Sequence, residues 1–350
     1  MLTDIFAFRY GKRKIWASFG KTEKRLIVQT FSIINEQLFP YYQHDGSENP
    51  TGKAAWNDIQ KRLAVELGLI SLSPLTYSYS NTWAGKETKR TAFWPMHKVC
   101  ENWVHLLPNS HEEADEFIKE RLSLVEIAFR KKEQEVEEAN EQLPELLIRA
   151  KERVMPSRGI HLPGDPQDGI LAHNRQFNES YQASVEELNT RFRQARCGLH
   201  YHNGFIQISD DDLTLKETEQ PFWNLLRDPI WKNVDIDMKE AIDRRDAGGR
   251  DPTFYAARAL ESAIKIISDK KQLSHGKEKG AHNFIDNLSK KSVKFIERWE
   301  AEALKHFFTH VRNPFGHGPG RQEMPTLTTQ QTEVTVEFCM SWIKSLARRL

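Results

Sequence analysis

The sequence predicts a mainly α protein, with a helical N-terminal domain, a small β-hairpin region and a C-terminal four-helix bundle. Three observations carry that prediction. Apolar residues recur at helical spacing in segments spread along the 350 residues; one strong two-residue turn signal, Asn203-Gly204, stands between short apolar stretches; and four apolar stripes follow one another after residue 250. A hydrophobic content of 39% is enough for real cores, and the length suits two or three packed units, expected at 1–110, 111–222 and 223–350.

The first unit opens with Leu26, Ile27, Phe31, Ile34 and Leu38 on one helical face, closed by Pro40. A second helix is expected from Ala54 to Leu67. Leu69 to Tyr79 turns to Ser, Thr, Tyr and Pro and reads as irregular or weakly extended, before another helix from Met96 to Leu107. Tyr77, Tyr79, Trp83, Phe93 and Trp94 are core residues by default, with base stacking as the alternative.

Glu112 to Arg153 is dense in Glu, Lys and Arg and reads as a solvated connecting helix that Pro144 interrupts. Its discontinuous apolar stripe is Phe117, Leu124, Ile127 and Ala128. Pro156–Gly159 and Pro163–Pro166 mark an exposed loop, and helical patterning resumes from Phe177 to Arg196. Leu199–His202 and Phe205–Ile208 then flank Asn203-Gly204, a dipeptide suited to positive φ at both turn positions. Pro221 to Arg245 reads as one helix running into Gly248-Gly249.

In the last unit Asp251 is the expected N-cap and Pro252 the first helical residue, ahead of Ala256, Leu260, Ala263, Ile264 and Ile267. Phe284, Ile285 and Leu288 mark a middle segment. A third helix presents Ile296, Trp299, Leu304, Phe307, Phe308 and Val311, and a fourth presents Phe338, Trp342, Ile343 and Leu346. Four such stripes with short connections describe an up-and-down bundle.

Composition narrows the function. No run of 18 apolar residues occurs, and Met1-Leu2-Thr3-Asp4 begins no basic-then-apolar leader, so a cytoplasmic protein without a membrane association is expected. Cys100, Cys197 and Cys339 are scattered and read as reduced thiols; they support neither disulfides nor a zinc site. From Trp223 onward 22 Lys and Arg face 17 Asp and Glu, whereas the preceding residues hold 28 against 32. The basic excess therefore sits in the C-terminal part, where a phosphate-bearing substrate fits better.

The stretch His310-Val311-Arg312-Asn313-Pro314-Phe315-Gly316-His317-Gly318 carries the chemistry. Pro314 disfavours helical geometry at Asn313, so the third helix should end there, with Arg312 in its last turn and His317 on a Gly-rich loop. Cleavage of RNA without a metal needs a base, an acid and a cation for the charge added at phosphorus. Imidazole supplies proton transfer near neutral pH, and guanidinium binds non-bridging oxygens in a bidentate fork. Spacing alone is weak, since Arg90 with His97, Arg193 with His200 and Arg196 with His202 have similar separations. Only Arg312 and His317 combine the end of an amphipathic helix with a neighbouring Asn and glycines on both sides of the His. The plainer alternative is a helix C-terminus whose Arg satisfies end carbonyls.

Asp251-Pro252-Thr253 through Arg258, Glu261 and Lys265, followed by Val311-Arg312-Asn313 and His317-Gly318, resembles the C-terminal HEPN domain of bacterial abortive-infection proteins. The opening Asp4-Ile5-Phe6 with Arg9-Tyr10-Gly11 looks like the N-terminal domain of AbiJ-type members, and the hairpin with Tyr201, Asn203 and Gly204 is similar to their linker. The resemblance implies a homodimeric, metal-independent endoribonuclease toxin in anti-phage defence that cuts cellular RNA, tRNA being one candidate. It needs no cofactor, and a phage-derived trigger or an antitoxin is an expected partner. Arg312, Asn313 and His317 would be catalytic, with Glu261, Lys265, Arg258 and His310 in support. Glu261 and Lys265 are equally readable as a plain i,i+4 ion pair. A non-catalytic HEPN-type module that binds RNA or protein is the alternative. The short Pro314–Gly316 spacer departs from many relatives, which carry an acidic residue and a longer spacer. His200 and His202 alternate on one strand as a metal pair would, without an evident third ligand; His306 is one turn from His310, and Lys290, Lys291 and Lys294 are further phosphate-contact candidates.

Overall fold

The computed structural model describes residues 5–83, 86–108, 113–153, 166–208, 218–313 and 327–350. It is mainly α, with two small antiparallel hairpins among the described residues. Two compact units emerge: Ile5–Phe8 with Lys14–Ile208, and Arg9–Arg13 with the described part of Ser209–Leu350.

In the first unit a helical turn, α1 (Phe6–Arg9), precedes α2 (Lys21–Ile33), which widens into a π turn at Ile34–Leu38. Helix α3 (Pro50–Glu66) starts at Asn49, whose side chain accepts from the Thr51 N–H, with proline at its first position. A hairpin of β1 (Thr76–Trp83) and β2 (Lys86–Phe93) follows where only weak extension was expected. Alternating Tyr, Ser and Thr suit an extended chain even without an apolar face, and so leave little hydrophobic signal. After α4 (Met96–Val104) come two long helices, α5 (Ala114–Arg153) and α6 (Pro166–Ala195).

Helix α5 departs from its reading as a solvated, interrupted connector. Its first half is core: Phe117, Ile118, Leu122, Leu124, Ala128 and Phe129 are fully buried. Several charges are buried with them, each supplied with partners. Lys119 pairs with Asp115, whose carboxylate also accepts from the Ile15 and Trp16 N–H groups at 2.7 and 2.8 Å. The Arg121 guanidinium lies 3.6 Å from the Phe117 ring centroid and 4.2 Å from that of Trp103. Glu126 bonds Arg130 and the Ile206 N–H, both at 2.8 Å. Charge density therefore marks satisfied burial here rather than solvation. Pro144 lies within the helix without ending it. Asn140 bonds Asn174 and Asn178, and Gln167 donates to the Leu147 carbonyl, so α6 braces α5 on both sides of the proline.

Strands β3 (Leu199–His202) and β4 (Phe205–Ile208) form the expected hairpin, with φ of 39° at Asn203 and 90° at Gly204. All eight residues are buried. Asn189 from α6 holds both backbone groups of Tyr201, at 3.0 and 2.7 Å, and Arg130 donates to the Gly204 carbonyl at 2.7 Å.

In the second unit the expected single helix from Pro221 to Arg245 is broken into α7 (Gln220–Leu225), a 3-10 turn at Pro229–Trp231 and α8 (Lys232–Asp246). Pro229 lacks an N–H for a continuous ladder, and Asp228 caps the new turn at Ile230. The central helix is α9 (Pro252–Lys270), with Ala256, Leu260, Ala263, Ile264 and Ile267 wholly buried as the periodicity predicts. Asp251 occupies the cap position with φ of 58° but makes no side-chain cap bond; its backbone turns left-handed after Gly248-Gly249. Helices α10 (Ala281–Ser289), α11 (Arg298–Phe307) and α12 (Thr329–Ala347) complete the bundle. α9 packs against α8, α10 and α12. Trp299, expected in the core, is 67% exposed: it lies in the first turn of α11, whereas Leu304, Phe307 and Phe308 are buried further along.

Candidate functional site

The site is assembled at the end of α11. There the helix widens into a π turn, Phe308–Arg312, with the Asn313 N–H donating to the Phe308 carbonyl. Such widenings occur often at functional positions, because they re-aim side chains without breaking the helix. Buried Phe308 anchors the turn. Asn313 keeps right-handed helical angles, φ −62° and ψ −38°, against the expectation that Pro314 would push it out. The bias before proline is a local preference, and the packed turn overrides it. His317 and its Gly-rich loop lie outside the described residues.

The turn packs on α9, which brings Arg312 to Glu261 across 51 residues of sequence. Arg312 Nη2 donates to Glu261 Oε2 at 3.3 Å, and Arg312 Nη1 reaches Asn313 Oδ1 at 3.5 Å. The Arg312 Nε atom is buried and has no hydrogen-bond partner among the described residues. Glu261 Oε1 takes Lys265 Nζ at 2.8 Å. Glu261 is thus shared by two cations, and the i,i+4 pair seen in the sequence is half of a three-residue cluster. The Phe254 ring lies 5.8 Å from the Arg312 guanidinium carbon and 6.0 Å from that of Arg258.

Arg258 is held otherwise. Its Nη2 donates to Asp237 Oδ1 of α8 at 2.5 Å, and its guanidinium lies 4.8 Å from the Tyr255 ring centroid. The hydrogen bond to Asp237 raises the Arg258 pKa further above its ordinary value. His310 is exposed and lies against His306, ring centroids 4.3 Å apart; one turn-residue away, Thr309 Oγ1 contacts His282 Nε2 at 3.3 Å. Lys290, Lys291 and Lys294 are exposed on and beside the segment joining α10 to α11.

Sequence reasoning missed Phe254 and Asp237. The available signal for Phe254 was its i,i+4 spacing from Arg258; Asp237, on another helix, left none. His200 and His202 are buried, with His202 Nε2 2.6 Å from Gln207 Oε1. Among the described residues no three His, Cys, Asp or Glu converge as metal ligands. No helix among them is long and apolar enough to cross a membrane.

Chemically the cluster is a guanidinium with spare donors beside a carboxylate and an ammonium. Five N–H groups in a planar fork match a phosphate, and the contacts to Glu261 and Asn313, both long, occupy two of them.

A family profile described as AbiJ N-terminal domain 4 matches residues 4–224, more than half of the chain and ending ahead of α8. No curated protein and no solved structure matches.

Proposed function

Starting from the chain's membership of the AbiJ N-terminal domain 4 family, which makes it abortive-infection-related, we propose that it is a metal-independent endoribonuclease toxin whose C-terminal unit is a HEPN-like domain. Arg312 and His317 cut RNA. The 2′-hydroxyl attacks the adjacent phosphorus, His317 moves the proton, and the 5′-oxygen leaves, giving a 2′,3′-cyclic phosphate. Arg312 neutralises the charge that builds on the non-bridging oxygens. Two copies bring their motifs together in a symmetric dimer.

One observation supports this reading most: Arg312 is fixed in position by Glu261 and the π turn, yet its Nε has no partner among the described residues. An arginine that only capped its helix would spend its donors on end carbonyls. Asn313 orients the guanidinium, and Glu261 with Lys265 sets its tilt.

The test is incubation of the purified protein with total RNA and tRNA in EDTA, with analysis of the product ends. Cleavage leaving 2′,3′-cyclic phosphate, reduced about 10²–10⁴-fold in a folded His317→Ala variant, is the expected result. RNA bound without any cleaved product, including with extract from infected cells, would turn the reading to a non-catalytic binding module.

A further inference from the structure

The hairpin β1–β2 is unlike everything else in its unit. Both strands are largely exposed, with Tyr77 and Ala92 half-buried among the described side chains, and no helix packs on them as they pack on each other. Tyr77 and Tyr79 share one face by strand alternation, with ring centroids 5.9 Å apart, and Trp94 stacks on Tyr77 at 3.9 Å and 28°. The three rings make a continuous row. Arg90 is the cross-strand partner of Tyr79 and therefore stands on the same face. Tyr79 is 42% exposed, and Phe93 on the other face is 77% exposed. The side chain of Trp83 lies outside the described residues.

Charge points the same way. β1 has no charged residue, and β2 carries Lys86, Lys89 and Arg90 against Glu87, within a sequence region whose overall balance is acidic. Neither Lys89 nor Arg90 makes an ion pair among the described residues, whereas Lys53, Arg62, Lys98 and Lys131 of the same unit are paired. The row of aromatic faces leaves its outer ring, Tyr79, open to water while Tyr77 and Trp94 behind it are half-buried. With Arg90 on the same face and without an ion pair among the described residues, it has the chemistry that stacks unpaired bases and meets their phosphates.

We infer that the Tyr77–Tyr79–Trp94 face of this hairpin, with Arg90, is a platform for single-stranded RNA that delivers substrate to the protein. The inference rests on the reading of the chain as acting on RNA. Duplex RNA is a poor fit, since its bases are already stacked, and the platform selects loops or ends rather than helices.

The test measures anisotropy of a labelled 12-nucleotide single-stranded RNA on the full chain, beside the same sequence as a duplex. Tyr79→Ala and Arg90→Glu should each weaken single-strand binding by about tenfold, with unchanged thermal melting, and Tyr79→Phe should restore it. Equal binding by wild type and both variants, or a preference for the duplex, overturns the platform. So does a change in oligomeric mass on Tyr79→Ala without a change in RNA affinity, which would make the face a self-association surface. Cleavage with an unaltered KM in Tyr79→Ala would sink the platform and leave the nuclease reading standing; platform-dependent binding with no cleavage would do the reverse.

Discussion

Two sides of helix α9 hold arginines in opposite ways. On the α8 side, Arg258 is bound to Asp237 at 2.5 Å and lies over Tyr255, which Arg244 also approaches, at 4.3 Å. Nearby on α8, the Tyr10 hydroxyl donates to Asp246 at 2.9 Å and Arg245 reaches the same carboxylate at 2.8 Å. Arg244, Arg245 and Arg258 each have a carboxylate within 2.8 Å. On the π-turn side, Arg312 has only contacts of 3.3 and 3.5 Å and one unpartnered Nε among the described residues. The difference is in how tightly each is held: Arg258 by a short charged hydrogen bond, Arg312 by two long ones.

The contrast breaks most readily at Arg312 itself. Arg312→Ala should lower RNA cleavage by about 10²–10³-fold, in line with loss of one charge-stabilising donor, and hardly move the melting temperature. A large loss of stability with intact cleavage would reverse the assignment of the two sides. Arg258→Ala should do the opposite: cleavage within about threefold of wild type, read as kcat/KM, and a stability loss of roughly 1 kcal/mol in denaturant melts. That figure sits at the low end for a stranded carboxylate, because the Arg258 side chain is 45% exposed and water replaces part of what is lost.

Glu261→Gln sharpens the comparison from the carboxylate's side. It removes the charge shared by Arg312 and Lys265 and should cost about tenfold in cleavage, with a smaller change in the concentration of RNA at half-saturation. Phosphate binding that tightens while cleavage falls would show Glu261 to be an aiming group rather than a ligand contact.

The smallest effect concerns pH. Burial, followed by the negative charge of Asp246, raises the Tyr10 pKa well above its usual value near 10. Above that pH the unfolded chain loses a proton that the folded chain keeps, so this contribution to stability declines as pH rises. Tyr10→Phe should therefore flatten the alkaline limb of the stability curve, while leaving any pH dependence of the Arg312 side untouched. An alkaline limb identical in wild type and variant would mean that Tyr10 is not the group that titrates.

Much of this contrast was invisible before folding. The stripe Ala256–Leu260–Ala263–Ile264–Ile267 and the Asn203-Gly204 turn were legible because helix and turn preferences act over a few residues. The pair Glu261–Lys265 was legible for the same reason, at one helical turn. Its second cation was not, because Arg312 is 51 residues away and only the packing of the π turn on α9 joins them. Likewise the charges of α5 read as solvent-facing, since the sequence holds the one-turn pairs Asp115–Lys119 and Glu126–Arg130 but does not show that Ile15, Trp16, Trp103 and Ile206 meet this helix.

The sequence by itself determined the buried face of α9, that the β3–β4 turn needs positive φ, and that Glu261 and Lys265 share one helix face. Tertiary structure alone decided that α5 is half core, that Tyr79 and Phe93 of the β1–β2 ribbon stay exposed, and that Arg312 meets Glu261. The physical reason is range. Backbone preferences and side-chain periodicity are set within a turn or two, whereas burial and ion pairing depend on which distant faces meet.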